Sequence, residues 1–201
     1  GDFAWRKKEL TMIVSAVKTS TQHTLDTRLR AATALLYAHW EGYIKNASIY
    51  YLNYISHRNL KYENLTDNFI ALALRGEFIT AQQAKKTSIH IKLVDALVNN
   101  LSDEAKIPYI NVIETKSNLK WEVLKEILET LGFEYSFYET KAKLIDKKLV
   151  DNRNDVAHGQ RMNIEKDDFI NLYKQVMTMI EYFRTQIIDS VINKTYLRNQ
   201  S

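Results

Sequence analysis

The chain has 201 residues, of which 45% are hydrophobic and 26% charged, as expected for a globular protein of ordinary domain size. It contains no cysteine, which excludes disulfides, thiolate catalysis and cysteine-based zinc sites and fits a reducing cytoplasm. The formal net charge of +4 favours polyanionic partners only mildly. No stretch approaches the roughly 18 apolar residues that cross a bilayer, so we expect a cytoplasmic protein without a membrane partner.

Apolar residues recur at intervals of three and four along the first half of the chain, which predicts helices rather than strands. The presence of only 5 glycines and 1 proline also favours long helices. The pattern predicts three helices in this half, over residues 3–18, about 25–57 and 68–74, the last stopping near Gly76. Thr80 and Gln83 are spaced as in a capping box, so the next helix is expected to open there.

The second half contains three further predicted helices, over residues 118–131, 139–158 and from about 163 to about 197. Gly132 and Gly159 follow the first two, and glycine is the residue that most often takes the left-handed conformation after a helix. Asn163 is a candidate N-cap for the last one. These elements together predict an all-α helical bundle with long second and last helices, forming a single domain over residues 1–201.

A polar cluster occupies the last two turns of the 139–158 helix. Asn154 and His158 are four residues apart and share a face, so the amide can hydrogen-bond one imidazole nitrogen and leave the other for chemistry. Arg153 lies five residues before His158, so its long side chain or an unwound last turn is needed to bring the two groups together. A proton-transferring imidazole and a charged planar guanidinium suit phosphate chemistry. An ordinary alternative is a helix-ending salt bridge and a histidine that interacts with the helix dipole.

Two stretches resemble a known family. Residues 153–159, Arg-Asn-Asp-Val-Ala-His-Gly, resemble the Arg-(polar)-x3-His motif of the HEPN superfamily. Residues 38–42, Ala-His-Trp-Glu-Gly, are similar to the second-helix signature of its stand-alone, nuclease-like bacterial branch. The resemblance extends from about Arg28 to Leu197, and the order and helical setting of the two stretches make it more specific than the short motif alone.

The resemblance implies a metal-independent endoribonuclease in which a 2′-OH attacks the adjacent phosphate of RNA, giving a 2′,3′-cyclic phosphate. Carried over, His158 is the general acid or base, Arg153 stabilises the transition state and Asn154 orients them, without a metal or other cofactor. The family also implies a homodimer with the motif helices at the interface, because cleavage needs both an acid and a base and each chain offers one motif histidine. The implied setting is a toxin–antitoxin system, a stress response or phage defence, with an antitoxin or inhibitor protein as a further partner.

Other polar residues near the motif have two interpretations each. Lys147 and Lys148 are expected on a solvated helix face, and in an RNA-binding cleft they would contact phosphates. Glu41 would hydrogen-bond Arg153 or contact RNA. His39 and Trp40 are more typical of a core than of a catalytic site.

Two rival functions remain open from the sequence. One is a HEPN-like dimer that binds RNA or a nucleotide without cleaving it. The other is a helical protein-interaction domain whose polar motif closes a dimer interface. The presence of both Arg153 and His158 favours the nuclease over the first rival, because noncatalytic members of the family often lose the motif.

Overall fold

The computed structural model describes residues 1–161 and 164–198, and the regular elements within those ranges are helical. The α-helices are α1 (Asp2–Lys18), α2 (Gln22–Ser56), α3 (Asp67–Ala73), α4 (Arg75–Gln83), α5 (Thr87–Val98), α6 (Trp121–Leu131), α7 (Ser136–Glu139), α8 (Asp151–Ala157) and α9 (Lys166–Asn193). A 3-10 turn covers Tyr62–Asn64 and a π-helical segment covers Leu144–Val150. The all-α fold is confirmed, and α2 and α9, with 35 and 28 residues, are the long helices that the sequence predicts.

The chain groups into two compact units, and each has its own buried apolar residues. The first unit comprises Gly1–Ala47, Thr115–Lys125 and Tyr135–Thr185. The second comprises Ser48–Glu114, Glu126–Glu134 and the described residues from Gln186 on. The most deeply buried side chains of the first unit include Leu36, Trp40, Leu149, Phe169 and Phe183, and those of the second include Leu52, Leu65, Phe69, Leu128 and Tyr196. The single domain over residues 1–201 stays a prediction.

Within residues 1–161 and 164–198, no helix is both long enough and apolar enough to span a membrane. Polar as well as charged residues recur along α2 and α9, the two longest of the described helices.

The expected helix start at residues 80–83 is wrong. Thr80 lies in the last turns of α4, where its hydroxyl donates to the Gly76 carbonyl at 2.8 Å. A threonine inside a helix can bond the carbonyl four residues before it, and this local bond replaces the capping geometry. The following helix α5 begins at Thr87 instead. Gly76 belongs to the first turn of α4 and does not separate two helices.

Two other helix ends differ from the prediction because non-glycine residues take the left-handed conformation. Helix α6 begins at Trp121 rather than at residue 118, and Lys116 and Ser117 before it have φ of 52° and 58°. Helix α9 ends at Asn193 rather than near Leu197, since Lys194 has φ of 54°. Such turns give no clear glycine signal in the sequence. The candidate cap Asn163 lies outside the described residues.

The helix predicted over residues 139–158 begins later than expected and is not uniform. Helix α7 ends at Glu139 and a turn follows, after which the π-helical segment leads directly into α8. In the π-helical segment, Ile145, Leu149 and Val150 are buried, and Ile145 and Val150 are five residues apart. The hydrogen bonds of a π-helix join residues five apart, and one wide turn of this kind often lies beside a functional site. The five-residue spacing of apolar side chains is therefore the sequence signal for this segment, and α8 carries the polar cluster directly after it.

Candidate active site at the end of α8

The end of α8 fixes the backbone around His158. Gly159 follows with φ of 70°, the Gln160 N–H donates to the Asp155 carbonyl at 2.8 Å and the Gly159 N–H donates to the Val156 carbonyl at 3.1 Å. These two bonds form a Schellman motif, in which His158 is the C-cap residue. The His158 side chain is exposed. The sequence prediction that Gly159 ends this helix is confirmed.

The guanidinium of Arg153 is held by three hydrogen-bond acceptors. Nη1 donates to Oδ1 of Asn154 at 2.8 Å and to Oδ1 of Asn118 at 3.4 Å, and Nη2 donates to the Ser117 carbonyl at 2.9 Å. An arginine has five N–H donors, so these contacts leave two of them for an incoming acceptor. A guanidinium with two remaining donors can hold the oxygens of a phosphoryl group.

The ring of Tyr37 lies under this guanidinium. The guanidinium carbon of Arg153 is 4.5 Å from the ring centroid, and Tyr37 is 1% exposed. A cation over a desolvated aromatic ring is attracted by about 1–2 kcal/mol. The same tyrosine accepts the Leu119 N–H on its hydroxyl oxygen at 2.7 Å. Helix α2 thus contacts both the motif arginine and the loop that supplies two of the arginine's acceptors.

Burial raises the pKa of Tyr37 to about 12. The Leu119 N–H and the positive charge of Arg153 lower the pKa, and the Glu41 carboxylate one turn further along α2 raises it again. The hydroxyl therefore keeps its proton at neutral pH, which lets its oxygen accept from Leu119 while its proton remains available to Glu41.

The sequence does not single out the loop at residues 115–119. Its Asn118 N–H donates to the Thr115 carbonyl at 3.0 Å, and Lys116 and Ser117 take left-handed φ. Backbone of this kind persists only where surrounding contacts hold it. The polar Lys-Ser-Asn sequence before a helix is a turn signal, but nothing local indicates that the turn faces an arginine 35 residues later.

The polar cluster is arranged differently from the sequence expectation. The amide oxygen of Asn154 accepts from Arg153, and in the described part of the chain no hydrogen bond joins Asn154 to the His158 ring. Arg153 extends toward Tyr37 and the 115–119 loop, and none of its described contacts is with the imidazole. A second arginine, Arg30 of α2, donates to the carbonyl of Gln160 just after the motif. The described contacts therefore position the Arg153 side chain directly, whereas those beside His158 hold only the backbone.

The other sequence candidates differ in exposure and in the partners they contact. Lys147 forms an exposed ion pair with Asp151 at 3.1 Å, one helical turn away, and Lys148 is exposed. Glu41 is half-buried beside Tyr37, and among the described contacts it makes no ion pair with Arg153. An exposed ion pair of the Lys147 kind adds little stability, because water screens it.

His39 and Trp40 of the second stretch are buried, as their composition suggested. Nε2 of His39 lies 2.7 Å from a Glu9 carboxylate oxygen, and Nδ1 lies 3.5 Å from Nη1 of Arg6. Burial lowers the pKa of His39, and the Glu9 charge opposes this only in part because that carboxylate is half exposed. The neutral ring with its proton on Nε2 satisfies both partners, so His39 anchors α1 to α2.

Among residues 1–161 and 164–198, no three histidine, aspartate or glutamate side chains are grouped so that they could hold a metal ion. The polar side chains at the end of α8 are the Arg153 guanidinium, the Asn154 amide, the Asp155 carboxylate and the His158 imidazole. Of these, a guanidinium offers donors alone and cannot ligate a cation.

The protein is all-α, with an anchored arginine in α8 and an exposed histidine at the C-cap of that helix. These features place it in the class of helical proteins with an Arg–His motif of the HEPN type. The family model described as RiboL-PSP-HEPN matches residues 2–189. The chain belongs to this HEPN family, which confirms the resemblance found in the sequence and indicates an RNase-type or nucleotide-related function. No curated protein and no solved structure matches the chain.

Proposed function

We propose that the chain is a metal-independent endoribonuclease in which Arg153 and His158 act on a phosphodiester of RNA. The observation that carries the proposal is the anchored guanidinium of Arg153 in α8, which keeps two N–H donors beyond its described contacts, together with the exposed imidazole of His158 at the C-cap of the same helix. An anchored donor is worth more in a transition state than a mobile one, because no reorganisation is needed as charge develops.

The proposed reaction is an internal transfer. A base takes the proton of the 2′-OH, the 2′ oxygen attacks phosphorus, and the bond from phosphorus to the 5′ oxygen breaks. An acid protonates that leaving oxygen, so the products are a 2′,3′-cyclic phosphate and a 5′-OH. Arg153 would donate to the phosphoryl oxygens as negative charge grows on them. Asn154, which accepts from Arg153, would orient the guanidinium.

One chain supplies one motif histidine, and the reaction needs an acid and a base. A symmetric homodimer with the ends of both α8 helices at the interface would place two imidazoles and two guanidiniums around one substrate. The exposure of His158 is compatible with such a shared cleft. We extend the proposal to RNA contacts by Lys147 and Lys148, and to a toxin–antitoxin, stress-response or phage-defence setting with an antitoxin or inhibitor protein as partner.

The test is cleavage of single-stranded RNA by the purified protein in excess EDTA. The variants are His158→Ala and Arg153→Ala, each with a matched control that removes the same side chain elsewhere. His23→Ala and Arg75→Ala serve as controls, because both residues are exposed and lie outside the proposed site. Circular dichroism checks that every variant retains the helical fold.

The proposal predicts cleavage in EDTA by the wild type and both controls, and its loss in both motif variants. Loss of one motif group should cost at least about 100-fold in rate, the usual contribution of one acid–base or electrostatic group. RNA binding without cleavage would select the rival binding function instead. A monomer at micromolar concentration that still cleaves would contradict the shared cleft.

A further inference from the structure

Tyr37 contacts the motif arginine by two routes. Its ring lies 4.5 Å under the Arg153 guanidinium, and its hydroxyl oxygen accepts the Leu119 N–H at 2.7 Å. The residues just before Leu119 are Ser117 and Asn118, whose oxygens accept from the same guanidinium. The ring of one tyrosine therefore contacts the face of the guanidinium. The hydroxyl of the same tyrosine holds the loop whose oxygens accept from the guanidinium N–H groups.

The tyrosine is too deeply buried to touch a substrate, so its influence on chemistry must pass through another residue. It is 1% exposed, whereas Arg153 and Asn118 are half-buried and Ser117 is exposed. The left-handed φ of Lys116 and Ser117 makes the loop dependent on outside contacts. The tyrosine hydroxyl is the side-chain contact that holds the loop's next N–H, at Leu119.

We propose that Tyr37 is a positioning residue that fixes the direction of the Arg153 guanidinium, through its ring directly and through its hydroxyl by way of the 115–119 loop. The inference rests on the proposed function for its kinetic consequence. The structural part of the proposal, which is the restrained orientation of the Arg153 guanidinium, can be measured without RNA. A misplacement of about 1 Å in a catalytic group can cost roughly 100-fold in rate, so a residue in this place has a large effect without touching substrate.

Tyr37→Phe is the sharpest variant, because it keeps the ring and removes only the oxygen that accepts from Leu119. Asn118→Ala disturbs the same network from the loop and provides a second route should Tyr37→Phe fold poorly. Tyr50→Phe is the matched control, because Tyr50 is 64% exposed and the substitution removes the same hydroxyl group at the surface. All variants are compared with wild type by circular dichroism and thermal unfolding.

The first readout is the guanidinium NMR signal of Arg153, assigned by its loss in Arg153→Lys. In the wild type, rotation of its Nη groups should be slow compared with the exposed Arg75, because three acceptors and a ring restrain it. The proposal predicts faster rotation in Tyr37→Phe and Asn118→Ala and no change in Tyr50→Phe. Unchanged rotation in both network variants, with the fold retained, overturns it.

The second readout separates kcat from KM in RNA cleavage. Tyr37→Phe should lower kcat by roughly 10- to 100-fold and leave KM nearly unchanged, as expected when a group acts mainly in the transition state. A change in KM alone contradicts the positioning role. If the wild type cleaves no RNA, the proposed function fails, while the rotation of the Arg153 guanidinium still decides the role of Tyr37.

Discussion

The carboxylate of Asp146 accepts the backbone N–H of Trp121 at 2.7 Å. Asp146 belongs to the π-helical segment before the motif, and Trp121 is the first residue of α6. The first N–H groups of a helix have no partner within it, so this carboxylate caps α6 from a distant part of the chain. The cap also joins the motif segment to the loop that holds Arg153.

Removing this cap should destabilise the protein. Asp146→Ala is expected to lower the free energy of unfolding by about 1 kcal/mol, the usual cost of losing an N-cap side chain. Asp146→Asn is the control, because its amide oxygen can still accept the Trp121 N–H and the loss should be smaller. Urea unfolding followed by circular dichroism measures both. Equal stability of the alanine variant and the wild type would show that water replaces the cap without cost.

Two glycines allow the conformational and steric costs of an added methyl group to be separated. Gly159 and Gly132 both have positive φ, near 70°. An added Cβ at Gly159 meets nothing within 4 Å among the described residues, whereas at Gly132 it would lie 2.9 Å from the Asn68 side-chain amide. Gly159→Ala should therefore cost about 1 kcal/mol through backbone strain alone, and Gly132→Ala should cost more. Equal losses in urea unfolding would contradict this difference.

The buried His39 predicts how stability depends on pH. Burial lowers the pKa of His39 in the folded protein below the ordinary value. Between the two pKa values, the unfolded chain therefore binds a proton at His39 that the folded chain does not bind. The free energy of unfolding should then fall as pH drops below about 6.5, by at most about 1.4 kcal/mol per pH unit for one such group. The fall stops once the pH is below the folded-state pKa.

His39→Gln removes this titration and should flatten the pH dependence between pH 7 and pH 5. The contribution of His39 is the difference between the two curves, which cancels the carboxylates common to both proteins. His23→Gln is the matched control, because His23 is exposed. A wild-type curve that rises as pH falls in this window would show instead that the Glu9 carboxylate outweighs burial.

The exposed lysines before the motif predict a salt-dependent RNA affinity. Lys148→Ala is made in the His158→Ala background to prevent cleavage. It should weaken RNA binding and make the slope of log affinity against log salt concentration shallower by about the contribution of one phosphate contact. Lys147→Ala should have a smaller effect, because Lys147 is paired with Asp151. Lys8→Ala, at an exposed position of α1, should change neither quantity. Filter binding from low to high salt measures the slope, and identical slopes in all variants would contradict these contacts.

Much of the architecture follows from local sequence patterns. The three- and four-residue spacing of apolar side chains locates α1, α2 and α9, and Gly132 and Gly159 mark two helix ends that the structure confirms. Local patterns fail where a distant residue or an unusual backbone decides the result. The start of α6 depends on the left-handed turn at Lys116 and Ser117, where the sequence has no glycine to indicate such a turn.

The candidate site divides in the same way. Arg153, Asn154 and His158 are visible in the sequence because their spacing on a helix is itself the signal. The partners of Arg153 cannot be predicted from residue spacing. Tyr37 and Asn118 are far from Arg153 along the chain, and only tertiary packing brings them into contact with it. A buried tyrosine in a helical pattern looks like an ordinary core residue, and its hydroxyl partner cannot be inferred locally.

The chemistry of the new RNA ends distinguishes attack by the 2′-OH from hydrolysis by water. A defined single-stranded RNA is incubated with the protein in excess EDTA, and the ends of the fragments are identified by mass spectrometry and by their reactivity toward kinase and phosphatase. We expect a 2′,3′-cyclic phosphate on one fragment and a 5′-OH on the other, and neither product with His158→Ala. Fragments that carry a 3′-OH and a 5′-phosphate would contradict attack by the 2′-OH.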